Sequence, residues 1–292
     1  MDARAPDAAA FASGKDHRSE NFPVAALFSK PFRAPVMSYY RFARAADDVS
    51  DNAAAPPHEK LAALAALRAS LAGESEAEPT AVELRRTCAE RGLDPQHGLD
   101  LLEAFRRDVT KLRYDSWDDL IDYCRVSAMP VGRYVLDVHG EDRAATWPAS
   151  DALCAALQVI NHLQDCAADR RDLDRVYIPL DALHAEGIGP EALDAPAASP
   201  ALTRVIHALV RRTQGLLDQS RPFAARVQER RLAFDVAAIQ RLAEGLCQRL
   251  LRNDPLSARV HHTRLEMAGL AARAGLDVLV GRGRLRRGKE RG

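Results

Sequence analysis

The chain has 292 residues, 47% hydrophobic but only 5% aromatic, and its 41 Lys/Arg balance 41 Asp/Glu. That is enough apolar material for a full core, and zero formal net charge excludes a globally basic nucleic-acid binder. No apolar run reaches the roughly 18 residues of a membrane span, and the Ala- and Leu-rich composition, poor in Val/Ile/Thr runs, favours helix over strand.

Residues 1–15 read as a disordered N-terminus. Asp2, Arg4 and Asp7 with no apolar segment between them do not make a signal peptide. A helix is expected after Pro23, breaking near Pro31, and Pro35 is expected to open the next one. That helix carries Tyr40-x-x-x-Arg44-x-x-Asp47-Asp48-x-x-Asp51. At 3.6 residues per turn, Tyr40, Arg44, Asp47 and Asp51 fall within roughly 60° of one another, with Asp48 beside them. A stripe of carboxylates repels itself unless a cation sits on it. Hard oxygen ligands at one-turn spacing suit Mg²⁺, which takes one or two carboxylates together with substrate phosphates.

Leu61, Leu64, Leu67 and Leu71 recur at helical spacing over 59–71. Further helices are expected over 80–91, stopped by Gly92, and over 97–113. A long helix over 117–139 should kink at Met129-Pro130. Pro148 should start a helix reaching about residue 171. Within it, Asn161, Asp165 and Asp169 are spaced by four, with Gln158 and Asp172 in the same sector. This second set of oxygen donors could face the first across a bundle, with several Mg²⁺ ions bridging both walls to a diphosphate. Either motif alone would read as a solvated acidic face; the pair reads as a metal site. His162 points out of that sector and reads as structural.

The segment 181–200 reads as loop with a short helical piece near Pro190. Helices follow over 202–217, 222–234, 235–251 and 265–280. Residues 281–292 hold six Lys/Arg and one acid. They read first as a solvated basic tail, and second as a weak peripheral contact with anionic lipid. Five cysteines, odd in number and without a Cys-x-x-Cys pair, fit reduced and mostly buried thiols in a cytoplasmic protein. The expected organisation is one all-α domain over 16–280.

The two aspartate motifs, with Tyr123-Cys124, Val131-Gly132 and Arg175-Val176-Tyr177-Ile178-Pro179, resemble the squalene and phytoene synthase branch of the trans-isoprenyl diphosphate synthases. The likeness spans about 17–275. Within the branch the chain is most similar to the bacterial hydroxysqualene synthases of hopanoid biosynthesis. That narrower likeness rests on Glu20-Asn21-Phe22-Pro23-Val24-Ala25, Phe42-Ala43-Arg44-Ala45-Ala46-Asp47-Asp48 and Phe105-Arg106-Arg107-Asp108-Val109-Thr110-Lys111.

The resemblance implies a helical bundle around a central apolar cavity. It implies Mg²⁺ ions held on a diphosphate by Asp47, Asp48, Asp51, Asn161, Asp165 and Asp169. Catalytic roles fall to Asp47, Asp51, Tyr40, Arg44 and Tyr123, and substrate contacts to Ser19, Asn21, Arg44, Ser127, Gln158 and Tyr177. The implied substrate is presqualene diphosphate, ionised and then captured by water to give hydroxysqualene. Handover with the enzymes before and after it in the pathway would follow. The alternative on the same fold is head-to-head condensation of two allylic diphosphates, to presqualene diphosphate, squalene or phytoene. A non-catalytic assembly subunit is the reading from another class. No nicotinamide cofactor is expected, since Gly187-Ile188-Gly189 and Gly281-Arg282-Gly283 do not complete a dinucleotide loop after a strand. Phe22, Leu27, Leu157 and Ile160 are cavity-lining candidates, though each reads more simply as core. The run Val126-Ser127-Ala128-Met129-Pro130-Val131-Gly132 departs from the relatives at Met129, where a polar group could otherwise position water.

Overall fold

The computed structural model describes residues 8–11, 29–263, 266, 267, 269 and 270. The expectations for the rest of the N-terminus, for Ser19, Asn21, Phe22 and Leu27, for most of the 265–280 helix and for the basic tail lie outside these residues, while residues 8–11, expected to be disordered, form a 3-10 turn because Ala8 and Phe11 are buried in an apolar core.

A 3-10 turn at Ala8–Phe11 precedes α1 (Lys30–Asp51), α2 (Pro57–Ala72), α3 (Pro79–Arg91) and α4 (Gln96–Thr110). Next come α5 (Trp117–Ser127), α6 (Met129–Val138), α7 (Arg143–Leu173) and α8 (Leu180–Ala185). After a 3-10 turn at Pro190–Asp194 follow α9 (Pro200–Ser220), α10 (Phe223–Arg226) and α11 (Arg230–Leu250). The described residues contain no β-strand, only an isolated parallel bridge between Arg113 and Val176. The all-α expectation holds.

Prolines moved several boundaries. Pro35 does not open α1, which begins five residues earlier after Ser29 with Pro31 in its first turn. A proline at the sixth helical position removes one intrahelical bond, the one Pro31's carbonyl would have accepted. Arg91 Nη2 donates to that carbonyl instead, at 3.2 Å. Likewise α7 starts at Arg143, because Asp142 caps it by accepting from the backbone N–H groups of Ala144 (2.8 Å) and Ala145 (3.2 Å). Pro148 is absorbed inside it. At Met129-Pro130 the expected kink is a full break, and α5 and α6 meet at Ala128. The 222–234 helix is not one element: α10 ends at Arg226, and α11 runs on through Asp235 without interruption. The stretch read as loop after residue 180 contains α8. Gly73 and Gly92 end α2 and α3 with φ of 87° and 64°, the left-handed conformation that a Cβ disfavours.

The long helix α7 is the axis of the larger core. Leu153, Val159, Ile160 and Leu163 bury against Val205, Leu209 and Val210 of α9 and against the inner face of α11. A second core joins α1 to α4 through Phe42, Leu67, Leu84 and Leu101, with Tyr134 of α6 packed in. Four of the five cysteines are buried and all five are free thiols. Between the two cores a cavity of about 420 Å³ opens, and α1, α4, α5, α6 and α7 all face it.

A candidate diphosphate site between two acidic helices

Helix α1 brings Tyr40, Arg44, Asp47 and Asp51 to one wall of the cavity. Helix α7 brings Gln158, Asn161, His162, Asp165 and Asp169 to another. Both four-residue spacings therefore do what helical geometry requires of them, and one space receives both acidic stripes. Tyr123, Ser127 and Tyr177 also line it, while Leu101, Ala104, Phe105, Val131 and Leu173 give an apolar patch. Leu157 and Ile160 are not among the lining residues; Ile160 is core.

Asp48 departs from expectation. It is buried, does not line the cavity, and its Oδ1 accepts from Arg44 Nη2 at 2.6 Å. One residue on from Asp47 is about 100° around the helix, enough to turn its carboxylate off the shared wall. Arg44 also pairs with Asp47, Nη1 to Oδ2 at 2.9 Å. The guanidinium thus lies over α1's own carboxylates at the cavity edge.

The opposing acids are electrostatically crowded. Desolvation, then the Asp51 charge, push Asp47 up to about 7, against the lowering pull of Arg44. Desolvation, then the Asp165 charge, push Asp169 to about 7, and Asp51 and Asp108 add to it. Asp165 is raised by burial as well. Carboxylates held this close are short of positive charge. Of the six donors expected on the metal, the five that line the cavity, Asp47, Asp51, Asn161, Asp165 and Asp169, carry hard oxygen, the donor set that suits Mg²⁺. Among the described residues no three acidic, His or Cys side chains form a ready-made cage. A divalent ion here would need the ligand's phosphate oxygens to complete its shell.

Asp47 and Asp169 have folded values near 7 against an ordinary 3.8, so their ionisation opposes folding. That penalty is complete above about 7 and disappears as pH falls toward the unfolded value. Asp108, raised to about 6, and Asp235, raised to about 7, act in the same direction. The metal-free protein should therefore melt at a higher temperature at about pH 6 than at about pH 8. Differential scanning fluorimetry across that range checks this. A flat or opposite trend would contradict the crowding.

Two residues that the sequence reading had not singled out as site residues organise the floor. Asp108 is 5% exposed, and its two carboxylate oxygens accept from the hydroxyls of Tyr123 and Tyr177, each at 2.8 Å. Arg175 is 6% exposed and clamps three places at once. Its Nε donates to the Asp108 carbonyl at 3.0 Å, Nη1 to Asp51 Oδ1 at 2.6 Å, and Nη2 to the Ser50 carbonyl at 2.8 Å. Lys60 Nζ shares that last carbonyl at 3.1 Å. The signal for Asp108 was a carboxylate on the apolar side of an amphipathic helix; for Arg175 it was a cation just past the second motif.

The tyrosines form a ring wall with His162, which the sequence had turned away from the site. His162 stacks on Tyr177 with centroids 3.6 Å apart, and Tyr114 stacks on Tyr177 from 5.4 Å. Burial lowers His162 to about 3, so it stays neutral. Gln158 Nε2 lies 3.1 Å from its Nε2. Ser127 Oγ is buried without a hydrogen-bond partner, a condition that costs about 1–3 kcal/mol where nothing satisfies it. Met129 is buried in the core and does not line the cavity. The basic run after α4 is structural: Lys111 Nζ bonds Asp119 at 2.5 Å, and Arg113 Nη2 bonds Asp174 at 2.6 Å.

Residues 15–266 match the squalene/phytoene synthase family. The chain is 53% identical to the hydroxysqualene synthase of Zymomonas mobilis, over 91% of this chain and 90% of that protein. It is 52% identical to that of Rhodopseudomonas palustris, over 85% of each. A solved squalene synthase from Alicyclobacillus acidocaldarius superposes with a TM-score of 0.69 at 34% identity, covering 82% of this chain and 90% of that one.

Proposed function

The chain belongs to the squalene/phytoene synthase family, and we propose that it is a hydroxysqualene synthase, converting presqualene diphosphate and water into hydroxysqualene and diphosphate. The observation that carries the reading is one cavity with five hard-oxygen donors on opposing helices and an apolar patch beside them. Relatives more than 50% identical over most of the chain are named for that activity, which favours it over condensation of two allylic diphosphates.

Asp47, Asp51, Asn161, Asp165 and Asp169 would hold Mg²⁺, which when bound neutralises the departing diphosphate. Tyr40 and Arg44 stand at the same wall to contact phosphate oxygens, Arg44 with two donors in one plane. Departure of the diphosphate leaves a carbocation in the cavity. Tyr123, Tyr177 and neutral His162 line the cavity and would give the cation an aromatic wall without an anionic nucleophile. Asp108 accepts both tyrosine hydroxyls and so fixes the tilt of those rings. No described helix is long and apolar enough to cross a membrane.

Purified protein with Mg²⁺ should convert presqualene diphosphate to hydroxysqualene and leave farnesyl diphosphate alone untouched. Turnover of farnesyl diphosphate alone would instead support the condensing reaction. Separately, Mg²⁺ with inorganic diphosphate at about 100 times its dissociation constant should stabilise the fold by about 2.7 kcal/mol, read as a rise in melting temperature. No rise with the pair would point to a non-catalytic assembly role.

A further inference from the structure

Ser127 closes α5 at the break into α6, lines the cavity, and is 7% exposed with its Oγ unpartnered. Its position across the cavity follows from helix register. Tyr123 of α5 faces His162 of α7, ring centroids 6.0 Å apart, and Arg133 of α6 bonds Asp151 of α7 at 2.9 Å. Moving forward along α5 and α6 therefore means moving back along α7. Four residues on from Tyr123 is Ser127, and four residues back from His162 is Gln158. Register thus sets the two polar residues one turn beyond the ring wall, and both line the same cavity.

Gln158 is oriented by its neighbour. Its Nε2 donates to His162 Nε2 at 3.1 Å, and in that orientation the amide oxygen remains an acceptor. A serine hydroxyl can donate and accept, and a buried water needs two to four polar partners. Along the helix Gln158 lies about 5 Å from Asn161, the nearest metal-directed donor, and about 10 Å from Asp165.

We propose that Ser127 Oγ and the Gln158 side-chain oxygen hold the water that captures the carbocation. This rests on the hydroxysqualene reading above. The carbon–oxygen bond to diphosphate breaks with its electron pair on the diphosphate. A lone pair of the held water then forms the new carbon–oxygen bond, and the proton this water loses passes to the released diphosphate. Without the cradle the cation sheds a proton from a neighbouring carbon and leaves as a hydrocarbon. Ser127 and Gln158 thus decide the product rather than the ionisation.

The test separates those two steps. Wild type, Ser127→Ala and Ser127→Thr are given presqualene diphosphate and Mg²⁺, with diphosphate release and the alcohol-to-hydrocarbon ratio both measured. In Ser127→Ala the ratio is expected to fall about tenfold, the worth of one hydrogen bond to the water, with diphosphate release recorded alongside so that the ratio is read per ionisation event. Ser127→Thr keeps the hydroxyl and should keep the ratio. If Ser127→Ala does not fold, Gln158→Leu tests the other half of the cradle by the same ratio. An unchanged ratio, with release intact or reduced, overturns the proposal. Wild-type protein that makes no alcohol overturns the proposed function itself, which distinguishes the two failures.

Discussion

Asp169→Asn should lower turnover of presqualene diphosphate by about 10²–10³-fold, the loss expected when one group stabilising a departing charge is removed. The cause is electrostatic. Asp169 shares its cavity with Asp165 and Asp51, and burial with those charges lifts it to about 7. It belongs to a set of carboxylates with too little positive charge, which a divalent ion and diphosphate would complete. Neutralising it removes a ligand and leaves the shape almost unchanged. The Mg²⁺ concentration for half-maximal rate should rise together with the loss of rate. Asp48→Asn is the control, because Asp48 sits off the cavity and pairs with Arg44. If the two variants lost rate equally, the carboxylates would not be divided between the two roles as their positions require.

The acidic stripes were legible because their spacing is a property of the helix itself. Any chain carrying Asp47 and Asp51, or Asn161, Asp165 and Asp169, in helical conformation must present them on one side. That the stripes face one another needed the bundle, and the family resemblance supplied it. Asp48 shows the limit of motif reading: the pattern counts it, but the 100° step turns it away. Pro35 and Pro148 were read as helix starts, since proline is favoured in a first turn. What the sequence could not reveal was that Arg91 would cover the carbonyl Pro35 leaves open, or that Asp142 would cap α7 five residues ahead of expectation. Both are tertiary or local hydrogen bonds that compete with propensity. His162 reads from the sequence as pointing out of the donor sector, yet it lines the cavity with its Nδ1 4.0 Å from Asp169 Oδ2, and Tyr177 arrives from beyond α7 to stack on it. Asp108 and Arg175 escaped as site residues for the same reason. Each takes its meaning from partners 15 to 125 residues away in sequence.

Arg175→Met should be the most destabilising single change near the cavity, by about 3 kcal/mol, as for a buried charge stripped of its partner. Arg175 lies beyond the end of α7, yet its three donors reach α1 at Ser50 and Asp51 and α4 at Asp108. It therefore ties both walls of the smaller core to the end of the helix that carries the second motif. Methionine fills much of the same volume and returns none of the bonds. The Asp108 and Ser50 carbonyls lose a donor, and Lys60 remains only at the second. Arg175 is also the leading influence holding Asp108 down against burial, so its removal raises that carboxyl further above its present value of about 6. An acid raised in the folded state opposes folding once it ionises. The deficit should then widen as pH climbs through and above about 6, and narrow below it. Urea unfolding of both proteins at about pH 5.5 and about pH 8 reads that difference directly. Arg175→Lys, which keeps the charge but cannot reach three acceptors in one plane, should fall between them. Equal urea midpoints for wild type and Arg175→Met at both pH values would mean that the clamp contributes nothing to the fold.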